Sequence, residues 1–472
     1  MGSILEIENN RKKCQKFTPL SIVEDMLDIA GYKVDLMGKK VLENSFGSGN
    51  ILKHIVKRYI EDSLNQGVSH TDIALGIEND IYGIELDETV YSDCINDLNE
   101  MIRGYGLPAV NWSLYNGDAL EWNNPVDFQF IIGNPPYIAY RFLDEEHRTK
   151  LKEKYSTCSE GKFDYCYSFI ESAIQMLAAD GKLIQLVPSN IYKNVFANNL
   201  RRILLPNIVS IWEYPNRKMF GSTSTSSSIF LYDKTYKGKF IKYKNITNNS
   251  CVNIKKDALN EKWVFSNKRE KKGGLIRFGD RFRASSAVAT QLNEAFLITD
   301  SFDMIEADVL QNAAAPRALR YGKKEFIIFP YHYNSNGTLK TYTETQFETR
   351  FPLAFMHLVK YKERLLKRDS DPKAKWFEYG RSQALAHLNQ KKLLLSTVVT
   401  NRIEIYKLDV SAIPYSGIYI TVKDEQYNLD DALRILNSRD FLNYVMDLGI
   451  SVSGKSKRIT CEDINNYKFT EE

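Results

Sequence analysis

The first half of the chain alternates short apolar runs with stretches whose apolar residues recur at the helical period; the second half does so less regularly. Buried strands are predicted at Val41-Leu42, Ile81 to Leu86, Ile131-Ile132, Lys182 to Val187, Ile208 to Trp212 and Ser227 to Tyr232, each bounded by turn residues. Ile22, Val23, Met26, Leu27 and Ile29 share one side of a helix, with Thr18 placed to be its N-cap and Pro19 its first helical residue. Another helix begins near Ile51, and residues 54–79 hold that helix plus an added segment. A later one opens at Phe163 to Phe169 and runs through Leu177, with Asp180-Gly181 closing it and Gly181 as its C-terminal cap. Strands and helices in this alternation predict a doubly wound α/β domain with a sheet of about seven strands.

The run Ile131-Ile132-Gly133-Asn134-Pro135-Pro136-Tyr137 is the most constrained stretch. Gly133 lets the backbone turn, and Pro135-Pro136 then fix φ and hold the chain extended. A stiff turn of this kind presents one amide side chain, one backbone carbonyl and one ring face in a fixed arrangement, and such prior arrangement lowers a barrier. A proline-rich turn without chemistry is the plain alternative.

Three other stretches sit where open α/β sheets bind ligands. Val41 to Asn50 is a strand, a loop containing Gly47 and Gly49, and a helix start, with Glu43 at the strand's carboxyl end. The next strand ends in Glu85, an acid able to accept two hydrogen bonds from ribose hydroxyls, although solvated acids at strand ends are common. Asp118 follows in Asn116-Gly117-Asp118, where an Asx turn alone would account for it.

Composition adds a second domain. At 472 residues the chain is long for one domain. Residues 1–240 hold 26 Lys and Arg against 31 Asp and Glu, a balance of −5, while the remainder holds 37 against 28, a balance of +9. A polyanion-facing second half fits that asymmetry. No run approaches the ~18 apolar residues of a membrane span. Six scattered cysteines form no CxxC pair, so neither a zinc site nor a disulfide framework is indicated, and a reducing cytoplasm is the expected location.

Asn134-Pro135-Pro136-Tyr137, with the Phe17-Thr18-Pro19 stretch, the Gly47 loop, Glu85 and Asp118 in this order, resembles the gamma-class (TaqI-like) S-adenosylmethionine-dependent DNA adenine-N6 methyltransferases. The resemblance implies a seven-stranded, Rossmann-like methyltransferase catalytic domain over 1–245 and an α+β target-recognition domain over 246–472. It implies that Asn134 and the Pro135 carbonyl hold the target amine, that Tyr137 stacks on the base, and that Phe220, in the small polar loop Met219 to Ser226, stacks on its other face. For the cofactor, S-adenosylmethionine, it implies contacts from Thr18, Glu43, Gly47, Glu85, Asp118 and Phe169, and no metal.

Basic clusters interleaved with aromatics resemble, loosely, the recognition part: Arg281-Phe282-Arg283, Lys360-Tyr361-Lys362, Lys367-Arg368, and Lys375-Trp376-Phe377 through Arg381, around a helix from Pro352 to Arg368. The implied partner is double-stranded DNA, with a separate cognate endonuclease beside a monomeric modification enzyme. Rival readings are an RNA or protein-glutamine N-methyltransferase, cytosine N4 methylation, and a DNA-binding protein with a decayed cofactor site.

Overall fold

A computed structural model of the chain describes residues 18–123, 126–214, 226–259, 261–265, 274–299, 304–453 and 456–470. Two compact units divide it, Met1–Lys268 and Arg269–Glu472.

The first unit is built on a nine-stranded sheet of order β3-β2-β1-β4-β5-β7-β6-β8-β9. The strands are β1 (Val41–Glu43), β2 (Ile81–Glu85), β3 (Ser113–Asn116), β4 (Phe128–Gly133), β5 (Leu177–Pro188), β6 (Ile208–Tyr214), β7 (Ser227–Asp233), β8 (Phe240–Asn245) and β9 (Ser250–Lys255). β1 to β5 pair in parallel, and β7 runs antiparallel to both β5 and β6. The central strands β1 and β4 are mostly apolar and buried because helices cover both faces of the sheet. Along β4, Phe130 and Ile132 enter one core and Phe128 and Ile131 the other.

Helices α1 (Leu20–Ala30), α2 (Leu52–Asn65), α3 (His70–Asp80) and α4 (Glu88–Gly104) supply the first of these cores, and α5 (Glu145–Lys154), α6 (Cys166–Met176) and α7 (Asn198–Leu204) the second. The segment between β1 and β2 is thus two helices; Ser69 caps the second by accepting from the Asp72 N–H.

Seven strands form the doubly wound sheet that was expected, and β8 and β9 lengthen it. Ile241, Tyr243 and Ile254 alternate with polar residues on this edge hairpin and are buried. Trp263, 1% exposed, stacks on Tyr192 at 5.9 Å, so the first unit continues past residue 245. Gly181 is not a helix cap. The helix stops at Met176, and Gly181 lies inside β5, where an added Cβ would meet the Phe128 carbonyl oxygen at 2.6 Å.

The second unit is α+β. One four-stranded sheet joins Phe282–Ser286, Ile418–Val422, Lys392–Leu395 and Ile405–Leu408. Another joins Leu297–Ile298, Glu325–Ile328, Leu310–Ala314 and Ile413–Pro414. The expected helix from Pro352 to Arg368 is broken into Pro352–Val359 and Lys362–Leu366. No helix among the described residues is long and apolar enough to cross a membrane.

Candidate active site

Chain order reverses at β1: β2 and β3 lie to one side of it, β4 and β5 to the other. At such a switch point the loops leaving the two adjacent strands part and open a crevice beyond their carboxyl ends. A cavity of about 350 Å³ lies there. Nine of the ten residues singled out in the sequence line it: Thr18, Glu43, Gly47, Glu85, Asp118, Asn134, Pro135, Tyr137 and Phe169. The tenth, Phe220, lies outside the described residues.

The turn after β4 is held from several sides. Ser45 Oγ donates to the Asn134 carbonyl at 3.3 Å, and Asn134 Nδ2 donates to Thr18 Oγ1 at 3.2 Å. Thr18 is therefore not the N-cap: α1 starts at Leu20, Pro19 occupies the cap position, and no side chain caps it. The Pro19 carbonyl accepts from the Ile22 and Val23 N–H groups, which leaves the buried Thr18 hydroxyl turned to the cavity side. The Tyr137 hydroxyl contacts both Asn134 Oδ1 and the Leu186 carbonyl. No hydrogen bond reaches the Pro135 carbonyl among the described residues.

Glu43 is 2% exposed, and its Oε2 has no hydrogen-bond partner. Burial pushes its carboxyl well above the ordinary carboxylate range; the Leu52 N–H opposes the shift, and the nearby Glu85 charge adds to it. Its neighbour Asn44, which sequence reasoning passed over, is 1% exposed, lines the same cavity and has an unpartnered Oδ1. The available signal was an amide directly following a fully buried strand. Unpartnered buried acceptors are costly, and two in one cavity call for a ligand with several N–H donors.

Glu85 accepts from the Gly47 and Asp87 N–H groups, both at 2.9 Å, and so ties the loop after β1 to the end of β2. Gly47 has φ 53°, with open space around its missing Cβ, so backbone conformation and not room requires glycine there. Asp118 forms the Asx turn expected of it, Oδ1 accepting from the Leu120 N–H at 2.9 Å. Phe169, 4% exposed on α6, meets Tyr165 edge to face at 5.3 Å. Phe46, also unforeseen, lines the cavity; its ring fills the place of a Gly83 side chain, with Cδ1 2.8 Å from where that Cβ would stand.

Known proteins resemble this chain in both sequence and fold. The type II methyltransferase M.BstVI of Geobacillus stearothermophilus is 29% identical over 203 residues, covering 40% of this chain and 36% of that protein. M.HincII of Haemophilus influenzae is 25% identical over 416 residues, 81% of this chain and 72% of the relative. This chain thus spans little more than a third of M.BstVI. Among solved structures, the Type IIL restriction-modification enzyme MmeI in complex with DNA shares the fold with a TM-score of 0.61 at 15% identity, over 98% of this chain and 65% of that one. Residues 40–220 match the model of the Eco57I restriction-modification methylase.

Proposed function

We propose that the protein is a sequence-specific DNA methyltransferase that moves a methyl group from S-adenosylmethionine to N6 of an adenine flipped out of the duplex, as the modification enzyme of a restriction-modification system. One observation carries this reading: an amide oxygen, a backbone carbonyl and an aromatic ring stand on one proline-fixed turn, in the same cavity as a buried carboxyl with one unpartnered oxygen.

The cofactor suits the residues present. The unpartnered Glu43 Oε2 matches a cationic amino group, Glu85 has the position of a ribose-binding acid, and Asp118 and Phe169 offer an acceptor and a ring face for adenine. When bound, S-adenosylmethionine supplies an electrophilic methyl group.

The chain's own residues supply the nucleophile's geometry. An aromatic amine is a poor nucleophile because its lone pair is delocalised into the ring. Asn134 Oδ1 and the Pro135 carbonyl accept its two hydrogens, which favours a tetrahedral nitrogen with a localised lone pair. The Tyr137 ring stacks on the base and offsets part of the cost of unstacking it. DNA as partner is further supported by the Eco57I restriction-modification methylase model that residues 40–220 match, and by MmeI, which was solved on DNA.

Expression in a methylation-free host, with modified bases mapped across its genome, tests base, atom and site together. N6-methyladenine at one short motif is the expected result. Asn134→Ala should lower single-turnover transfer by at least ~100-fold while DNA retardation survives. Unchanged turnover in that variant removes the mechanism.

A further inference from the structure

Asn134 must present its oxygen, not its amide nitrogen, to an incoming amine. A carboxamide exchanges the two by a half turn about its last torsion, so the partners on each side decide which faces the base. Both partners here are hydroxyls, Thr18 on the Nδ2 side and Tyr137 on the Oδ1 side. A hydroxyl both donates and accepts, so neither fixes the orientation unless its hydrogen is committed elsewhere.

Tyr137 has the Leu186 carbonyl as a second acceptor. Thr18 has none: among the described residues, its only hydrogen bond is the one it accepts from Asn134. Thr18 is 4% exposed and lines the cavity that holds the unpartnered Glu43 Oε2. The cavity thus offers an unused donor hydrogen and a carboxyl oxygen that becomes an anionic acceptor when a cation is seated beside it. An amino-acid head group, with one carboxylate and one ammonium, complements both.

Resting on the function proposed above, we infer that Thr18 is a positioning residue through which the carboxylate of the bound cofactor sets the orientation of the Asn134 carboxamide. With its hydrogen given to that carboxylate, Thr18 Oγ1 can only accept, and Asn134 is held with Nδ2 toward Thr18 and Oδ1 toward the base. Donation from Nδ2 also draws electron density onto Oδ1, since hydrogen bonds in a chain polarise one another. Loading of the cofactor and capture of the target base are coupled through one hydroxyl.

The test compares two probes on full-length protein. S-Adenosylhomocysteine carries the amino-acid head group; 5′-methylthioadenosine lacks it. Binding of a fluorescein-labelled duplex that keeps adenine at the mapped target position is followed by anisotropy, each probe at saturation. Wild type should bind this DNA ~10-fold more tightly with the homocysteine compound. Thr18→Val should remove that difference and, at saturating S-adenosylmethionine, slow single-turnover transfer by a similar factor. Thr18→Ser should restore both, which separates loss of the hydroxyl from loss of the fold.

A valine variant that retains the probe difference, or that reaches the wild-type rate once cofactor is saturating, overturns the inference and leaves Thr18 as a cofactor contact at most. A serine variant that fails to rescue overturns it too. Failure of the underlying reading is recognised separately: wild type would then leave no methyl group on adenine at all.

Discussion

The hydroxyl of Tyr137 stands between Asn134 Oδ1 and the Leu186 carbonyl, one hydrogen before two acceptors. When an amine hydrogen claims Asn134 Oδ1, the hydroxyl keeps a partner in Leu186 and no buried group is orphaned. On the proposed function, the hydroxyl then anchors the ring and the ring holds the base. Tyr137→Phe should lower transfer by less than ~10-fold, the scale of one exchanged hydrogen bond. Tyr137→Ala should weaken capture of the flipped base by ~1–3 kcal/mol, the worth of one base stack. Single-turnover rates and 2-aminopurine fluorescence measure the two effects, and equal losses in both variants would contradict the division of roles.

Glu43 gives the site a pH dependence of definite sign. Its carboxyl titrates well above the ordinary value of 4.5 in the folded chain because it is buried. The folded state therefore holds a proton that the unfolded state has released. Below the unfolded value both states are protonated and Glu43 costs nothing; as pH rises from there toward its folded value, it lowers stability progressively. Glu43→Gln, which cannot ionise, should raise the melting temperature of the ligand-free protein at neutral pH. An ammonium needs the ionised carboxylate, so cofactor binding should release a proton and tighten as pH rises toward the folded value of Glu43. Calorimetry in buffers of different ionisation enthalpy should detect that proton in wild type and not in Glu43→Gln, which should also bind more weakly.

Arg368 belongs to a basic cluster that looks DNA-facing in sequence, yet it is spent inside the second unit. Its guanidinium donates to the carbonyls of Leu365, Thr290, Trp376 and Glu378 at 2.9, 2.5, 2.8 and 3.0 Å. Arg368→Met leaves four carbonyls to find new partners and should cost ~2–4 kcal/mol in denaturant unfolding. The number of counterions released on DNA binding, read from the salt dependence of affinity, should not change by the ~1 expected of a lost phosphate contact.

That contrast marks how far the sequence could be read. The cavity residues were legible because strand ends, an acid and a turn recur in one chain order, and local order survives folding. Partners made at long range were not. Lys362, Arg364 and Arg381 are paired with Glu344, Glu294 and Asp369, each far enough away in sequence that no local pattern announces it. Thr18 reads as an N-cap because capping is decided locally, whereas its bond to Asn134 spans 116 positions. The strands β8 and β9 alternate, but alternation alone does not say which edge a hairpin joins, and the pairing of β8 to β6 is made at long range.

Gly181 offers a test of packing that sequence reasoning placed wrongly. As a helix cap it would tolerate any residue willing to enter the left-handed region at modest cost. Its φ is not in that region, and an added Cβ would stand 2.6 Å from the Phe128 carbonyl oxygen and 3.0 Å from the backbone nitrogen and oxygen of Ala178. Backbone atoms cannot rotate away as a side chain can, and the β4–β5 register already shifts between Phe128 and Phe130. Gly181→Ala should therefore cost ~1–3 kcal/mol in denaturant unfolding. Because β4 carries Asn134 directly beyond its end, the displaced strand should also slow transfer in the fraction that remains folded. Gly104→Ala is the control: at the last position of α4, with nothing within 4 Å of its Cβ, it should leave stability unchanged or raise it by up to ~1 kcal/mol through helix propensity. If the two variants unfold alike, close contact with the Phe128 carbonyl is not what requires glycine at 181.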